Sequence, residues 1–235
     1  MTSDPGIKEL VERQMHNWEL VQTHTSSDEP ETHKQVEDFV CISRDVGAGA
    51  SRIGVMLGER LDWPVFDKEI LHVMAGDEAI REQINGSMDD GDRSWCEAAL
   101  RSLPQPEFAK NGYFHKLSGT ILSLARQGSA VFIGRGADLI LPRNTGLRVR
   151  IVAPLAMRIK RIAERSNLSP DDARKKVKRL DEERADFIRD HFHVNVHDAE
   201  RYDLVVNLER VSRIQAVDLI ESARDILAID QLAGR

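Results

Sequence analysis

From Phe39 onward, short apolar runs alternate with segments of helical periodicity. The runs Phe39 to Ser43, Pro64 to Phe66, Ala130 to Ile133, Leu147 to Val152 and Leu204 to Asn207 are rich in Val or Ile. That pattern predicts strands of a parallel sheet covered by helices on both faces. Ser94-Trp95-Cys96-Glu97 has the form of a capping box and predicts a helix start, as does Ser169-Pro170-Asp171-Asp172. A last helix is predicted over Ser212 to Leu227, with Ile214, Val217, Ile220, Ile226 and Leu227 on its inner face. No internal repeat is evident.

Ahead of this region, Ile7, Leu10, Val11, Met15, Trp18 and Val21 share one face of a helix. The polar stretch Gln22 to Lys34 carries no core pattern and reads as a linker. The chain therefore divides into residues 1–36, a helix plus linker, and a main domain over 37–235. The helix is expected to dock on that domain, with a partner or a homodimer as the other use of its apolar face.

A length of 235 residues suffices for one α/β domain whose core needs no disulfide or metal. Cys41 and Cys96 form no framework and no C-x-x-C motif, so both read as packing residues in a reducing cytosol. Met1-Thr2-Ser3-Asp4 lacks a basic n-region, no apolar window reaches membrane-span length, and a cytoplasmic location without membrane partners is expected. A net charge of −6 argues against broad nucleic-acid binding, while Arg158 to Arg161 and Arg174 to Arg179 can still form a local positive cleft.

The candidate chemistry begins where the first strand runs through Gly47-Ala48-Gly49 into a helix. Glycines let backbone N–H groups turn toward an anion, and the helix adds its positive N-terminal end. Aligned with G-x-x-x-x-G-K-[ST], Gly49 takes the second glycine, Ser51 the metal-binding hydroxyl and Ala50 the lysine position. The lysine is absent, and Arg44, Arg52 and Lys68 are the candidates to replace its charge, Arg52 and Arg44 first because they adjoin the loop.

Gly134-Arg135-Gly136-Ala137-Asp138 follows the third strand at the end where open α/β sheets bind ligands. Arg135 can grip a phosphate bidentately, and Asp138 can accept from a sugar or base or hold an arginine. Asp67, ending the second strand, suits an N-cap and a substrate contact equally. Arg184 and Arg189 lie in a charged helix that, by composition alone, reads as a solvated face. His191, His193, His197 and Asp198 lack metal-ligand spacing and read as a mobile polar loop; Asp89, Asp90 and Asp92 read as a turn.

Taken in order, Ile42-Ser43-Arg44 before Gly47-Ala48-Gly49, Phe66 to Leu71, Ile133 to Asp138, Ala153-Pro154 with Arg158, Asp181 to Arg184, and Tyr202 to Asn207 resemble the cytidylate kinase-like family of P-loop proteins. The resemblance implies a P-loop NTPase fold: a five-stranded parallel sheet flanked by helices, with an acceptor-binding insert near 72–111 and a helical lid near 169–200. It implies transfer of the ATP γ-phosphate, with Mg²⁺, to CMP, dCMP or a similar monophosphate. Arg44, Gly47, Ala48, Gly49, Ala50 and Ser51 would then hold donor phosphates, with Ser51 near the metal and Arg52 supplying charge. Asp67, Arg135 and Asp138 would face the acceptor, Arg158 would serve on the acceptor side, and Arg184 and Arg189 would close from the lid. The run His191 to His197 departs from the aromatic and glycine-bearing lid of the family. Two other classes stay open: a nucleotide-binding regulatory module, and a kinase of a non-nucleotide small molecule.

Overall fold

A computed structural model describes residues 5–25, 36–103 and 112–233. Five parallel strands form one sheet in the order β2-β3-β1-β4-β5. They are β1 (Phe39–Arg44), β2 (Val65–Phe66), β3 (Ala130–Ile133), β4 (Leu147–Val152) and β5 (Leu204–Asn207). All five predicted strands are present, the first extended to Arg44 and the second starting one residue later.

Alternation along β1 and β3 divides the core into two layers. Phe39, Cys41 and Phe132 point to one face, Val40, Ile42, Val131 and Ile133 to the other. The first face is covered by α1 (Pro5–Thr25), α3 (Lys68–Gly76), α4 (Glu78–Gly86), α5 (Asp90–Ser102) and α6 (Gly112–Gln127). The second is covered by α2 (Ala50–Leu61) and α10 (Arg213–Ala233). A short α7 (Ala137–Ile140) follows β3, and a helical hairpin, α8 (Leu155–Ser166) and α9 (Pro170–Phe192), rises from β4.

Helix α1 docks on its own domain through Val11, Met15 and Trp18, whose indole donates to the Leu124 carbonyl at 3.1 Å. Gln14 accepts from Val65 N–H at 2.6 Å and so satisfies the short edge strand β2. Leu10, expected on the docked face, is 39% exposed. The helix runs to Thr25, taking in residues assigned above to the linker; 26–35 lie outside the described residues.

Three local expectations are corrected. Asp89 caps α5 by accepting from Asp92 N–H, so Asp90-Gly91 is the first helical turn and Ser94 lies inside the helix. An aspartate placed before further acids outcompetes a serine five residues later, because its charge also meets the helix dipole. In α10 the inner face is Ala216, Val217 and Ile220, with Leu227 partly buried, whereas Ile214 and Ile226 are 60% and 59% exposed. The stretch after α9 is packed: Phe192 and Val196 are buried, and Tyr202 donates its hydroxyl to the Val196 carbonyl at 2.9 Å. The Ser169 cap and N1 Pro170 of α9 stand as predicted.

Candidate active site

Central β1 ends at Arg44, and the chain turns through Asp45 to Gly49 before α2 begins at Ala50. Gly47 and Gly49 hold φ of +78° and +102°, which ordinary residues avoid. A Cβ on Gly47 would also lie 2.8 Å from the Arg158 carbonyl oxygen, so the loop can pass the lid hairpin only as glycine.

The hairpin holds this loop in three places. Asp181 of α9 accepts from Val46 N–H at 2.8 Å and pairs with Arg158 at 2.5 Å. Arg158 donates to the Val46 carbonyl at 3.2 Å, and Arg161 donates to that of Ala48 at 2.7 Å. Below the loop, Asp45 pairs with buried Arg150 at 2.6 Å, and Arg150 also reaches Ser43 Oγ at 3.0 Å and His197 Nδ1 at 3.2 Å.

Above the loop opens a cleft of about 1010 Å³ at the C-terminal ends of β1 and β3. Gly47, Gly49, Ala50, Ser51 and Arg52 line it on one side, Arg135 and Asp138 on another, and Arg184 with Phe187 from the lid. This is where ligands bind in open α/β sheets. Ala50 is buried and offers no charge, while Ser51 and Arg52 are exposed at the helix start.

Three arginines converge there, from β1, the β3–α7 turn and α9. Among the described residues none of Arg44, Arg135 and Arg184 is in an ion pair. The Arg44 guanidinium lies so close to Gly134 that a Cβ there would sit 1.6 Å from Nη1. Burial, then the like charges of Arg184 and Arg135, pushes the Arg44 pKa down to about 9, against the pull of Asp67 and Glu69. Burial likewise lowers that of Arg184, against Asp181, Asp45 and Glu69, while its Nη1 donates to the Arg44 carbonyl at 3.3 Å. Arg135 holds a left-handed φ of +57°, and its buried Nε has no hydrogen-bond partner. A buried donor without a protein partner, beside two guanidiniums that burial makes harder to charge, is chemistry suited to an anion.

Other sequence candidates fall elsewhere. Asp67 is the N-cap of α3, accepting from Glu69 N–H at 3.0 Å and Ile70 N–H at 3.1 Å; its neighbours Lys68 and Glu69 line the cleft instead. Asp138 lines the cleft but pairs with Arg201 at 2.6 Å, so it holds an arginine. Arg158 does not line the cleft: it is spent on Asp181 and on the Val46 carbonyl, which places it beneath the glycine loop. Arg189 also stays outside, 64% exposed and paired with Asp186 at 2.7 Å. Five residues of α-helix turn through about 140° relative to one another, so Arg184 and Arg189 cannot share a face of α9.

Arg161, visible in sequence only within the basic run Arg158 to Arg161, and Arg213, which sequence reasoning missed, have guanidiniums that would lie 3.8 Å and 3.4 Å from a Cβ on Gly49. Arg213 is brought from the start of α10, far along the chain, and no local signal marks it. Asp181 was visible only as part of a charged run. Among the described residues, no group of three His, Cys, Asp or Glu side chains is placed to hold a metal, and no helix is long and apolar enough to cross a membrane.

A parallel five-stranded sheet with a glycine loop at the end of its central strand, an arginine-lined cleft above it and a helical lid defines a P-loop protein of the kinase-like type. Residues 39–210 match the cytidylate kinase-like family, and the chain belongs to that family. It is 24% identical over 197 residues to the cytidylate kinase of Halobacterium salinarum, covering 83% of this chain and 94% of that one. With the cytidylate kinase of Methanocaldococcus jannaschii it shares 28% over 129 residues, 52% of this chain and 72% of the other. Among solved structures, an uncharacterized protein from Eubacterium ventriosum superposes with a TM-score of 0.58 at 20% identity, over 80% of this chain and 99% of that one, a likeness of fold.

Proposed function

We propose that the protein is an ATP-dependent phosphotransferase that moves the γ-phosphate of ATP to CMP, dCMP or a related monophosphate. The observation that carries this reading is the convergence of Arg44, Arg135 and Arg184 on one cleft with no carboxylate in an ion pair with any of them. Phosphoryl transfer asks little covalent chemistry of a protein and much positive charge, held in place around the phosphate oxygens. Arg135, on the β3–α7 turn, holds the acceptor phosphate. Arg184, on the lid, faces the phosphoryl group in transit, with Arg44 beneath both.

The donor side fits a nucleotide triphosphate. Gly47 to Ser51 form the phosphate cradle, with the N-terminus of α2 behind it. Ser51 would hold Mg²⁺ together with phosphate oxygens, as suits a cation that takes one or two protein ligands and keeps its waters; bound there, it would neutralise phosphate charge. Arg44, Arg52 and Lys68 all line the same cleft as candidates for the role of the missing lysine, with Arg161 and Arg213 flanking Gly49.

The test is ADP release from ATP and Mg²⁺ with each nucleoside monophosphate in turn, with Arg184→Ala as control. Acceptor-dependent turnover that disappears in the variant is expected. The buried Ala50 at the lysine position favours a second reading, a nucleotide-binding regulatory module. ATP binding without turnover on any acceptor would select it.

A further inference from the structure

Arg135 has to point its guanidinium into the cleft, yet its backbone does little to direct it. Gly134, Arg135 and Gly136 are three consecutive left-handed residues, with φ of +79°, +57° and +71°. Bonds from Gly134 N–H to the Ile42 carbonyl at 3.1 Å and from Ala137 N–H to the Gly134 carbonyl at 3.2 Å fix the backbone of the turn, but the long side chain of Arg135 is aimed by its own contacts. Among the described residues Arg135 makes no ion pair, and its Nε lacks any hydrogen-bond partner.

What it does touch is the lid. The guanidinium carbon lies over the Phe187 ring, 5.5 Å from its centroid. Behind Phe187 the rings cluster: His191 stacks on it at 4.4 Å with 30° between the planes, and Phe114 from α6 lies 4.8 Å from His191 and 6.3 Å from Phe187. His191 Nδ1 bonds the Phe187 carbonyl oxygen at 2.8 Å, which holds the two rings in register one helical turn apart. At the foot of the same helix, Phe192 fills the space over Gly136, where a Cβ would come within 2.4 Å of its ring.

The geometry points to Phe187 as a positioning residue that orients Arg135 for an anionic acceptor, so that the acceptor subsite is completed by the lid helix. A ring face attracts the cation without neutralising it, and so leaves the guanidinium's charge available to a phosphate, which a carboxylate partner would not. The role in acceptor binding rests on the reading of Arg135 given above; the orientation of Arg135 by Phe187 does not.

The experiment has two readouts on the full chain: arginine Nε–Hε NMR resonances, with that of Arg135 assigned by its loss in Arg135→Lys, and calorimetric titration with CMP and with ATP. Phe187→Leu keeps apolar volume without a π face, and Phe187→Tyr keeps the face. In wild type and in Phe187→Tyr, a ring-current-shifted Arg135 resonance with the high heteronuclear NOE of an ordered side chain is expected. In Phe187→Leu the ring-current shift goes with the ring whatever Arg135 does, so side-chain order is the readout: the Arg135 NOE should fall to that of exposed arginines, CMP affinity should fall roughly three- to tenfold, and ATP affinity should hold. An unchanged Arg135 NOE in Phe187→Leu overturns the inference, as does equal loss of CMP affinity in the Tyr and Leu variants. An NOE that falls in a protein that binds no CMP upholds the orienting role and overturns the acceptor reading instead.

Discussion

Asp181, midway along the lid helix, accepts the backbone N–H of Val46 in the phosphate loop at 2.8 Å while its other oxygen pairs with Arg158. One carboxylate of α9 therefore ties the loop to the lid, beside the Arg158 and Arg161 bonds that come from α8. Removing it leaves Arg158, only 11% exposed, with Asp45 at 3.9 Å as its remaining ionic partner. Asp181→Ala should lower unfolding free energy by about 1–3 kcal/mol, as a lost charged hydrogen bond does. It should also weaken ATP binding, because the loop crest loses its tether. Asp181→Asn keeps an acceptor for Val46 and should fall between the two. Urea unfolding and ATP calorimetry on the three proteins test this; an Asn variant as damaged as Ala would assign the effect to the Arg158 pair alone.

The lid arginines should separate sharply. Arg184 lines the cleft, and Arg184→Ala should lower kcat by about 10² to 10³, the usual cost of one preorganised donor. Arg189 is exposed and paired within its own helix, so Arg189→Ala should leave kcat and both KM values within about twofold. Steady-state kinetics with ATP and CMP decide it. A large kcat loss at Arg189 would mean that α9 rotates in the reacting complex.

Arg44 should make ligand binding depend on pH. Its pKa, pushed down to about 9 by burial and then by Arg184, rises again when an anion enters the cleft. Near pH 9 the binding of CMP or inorganic phosphate should thus draw a proton from the buffer. Calorimetry in two buffers of different ionisation enthalpy reads that uptake directly, and Arg44→Gln should abolish it. The stability sign is opposite to that of an ordinary ion pair. The unfolded arginine keeps its proton to far higher pH, so above about pH 9 the unfolded state holds more protons, and this one group favours folding as pH rises.

Gly134→Ala attacks the same cluster sterically. Its Cβ would fall 1.6 Å from Arg44 Nη1, and the backbone there has φ of +79°. Backbone strain of this kind costs about 1–3 kcal/mol, and the guanidinium must also leave its place. A lower Tm together with weaker CMP binding is expected. A Tm drop with unchanged CMP affinity would show that Arg44 takes no part in holding the acceptor.

Much of this architecture is legible along the chain, for reasons that are local. The five strands are short apolar runs, with β3 and most of β1 and β4 buried on both faces, and Ser169-Pro170 carries its own capping chemistry. The glycine loop announces itself because only glycine tolerates its φ values. Errors arose where two local signals compete, as with Asp89 and Ser94, or where a helix carries apolar residues beyond the stripe its neighbours need, as with Ile214 and Ile226.

The roles of individual charges were another matter. Arg158, Arg184 and Arg189 look alike in sequence, yet one is tied beneath the loop, one enters the cleft and one stays in water. Helix phase and the packing angle of α8 against α9 make that choice, and neither is written at the residue itself. Arg161 and Arg213 meet at Gly49 only because the sheet order sets β4 beside β1 and β5 next beyond it. The sequence by itself determined the strand–glycine-loop–helix unit, the parallel sheet and the absence of the lysine, since periodicity, φ preference and residue identity are properties of short segments. Only the tertiary structure decided which arginines stand unpaired around the cleft, because a guanidinium's partner is set by what folding brings within a few ångströms of it.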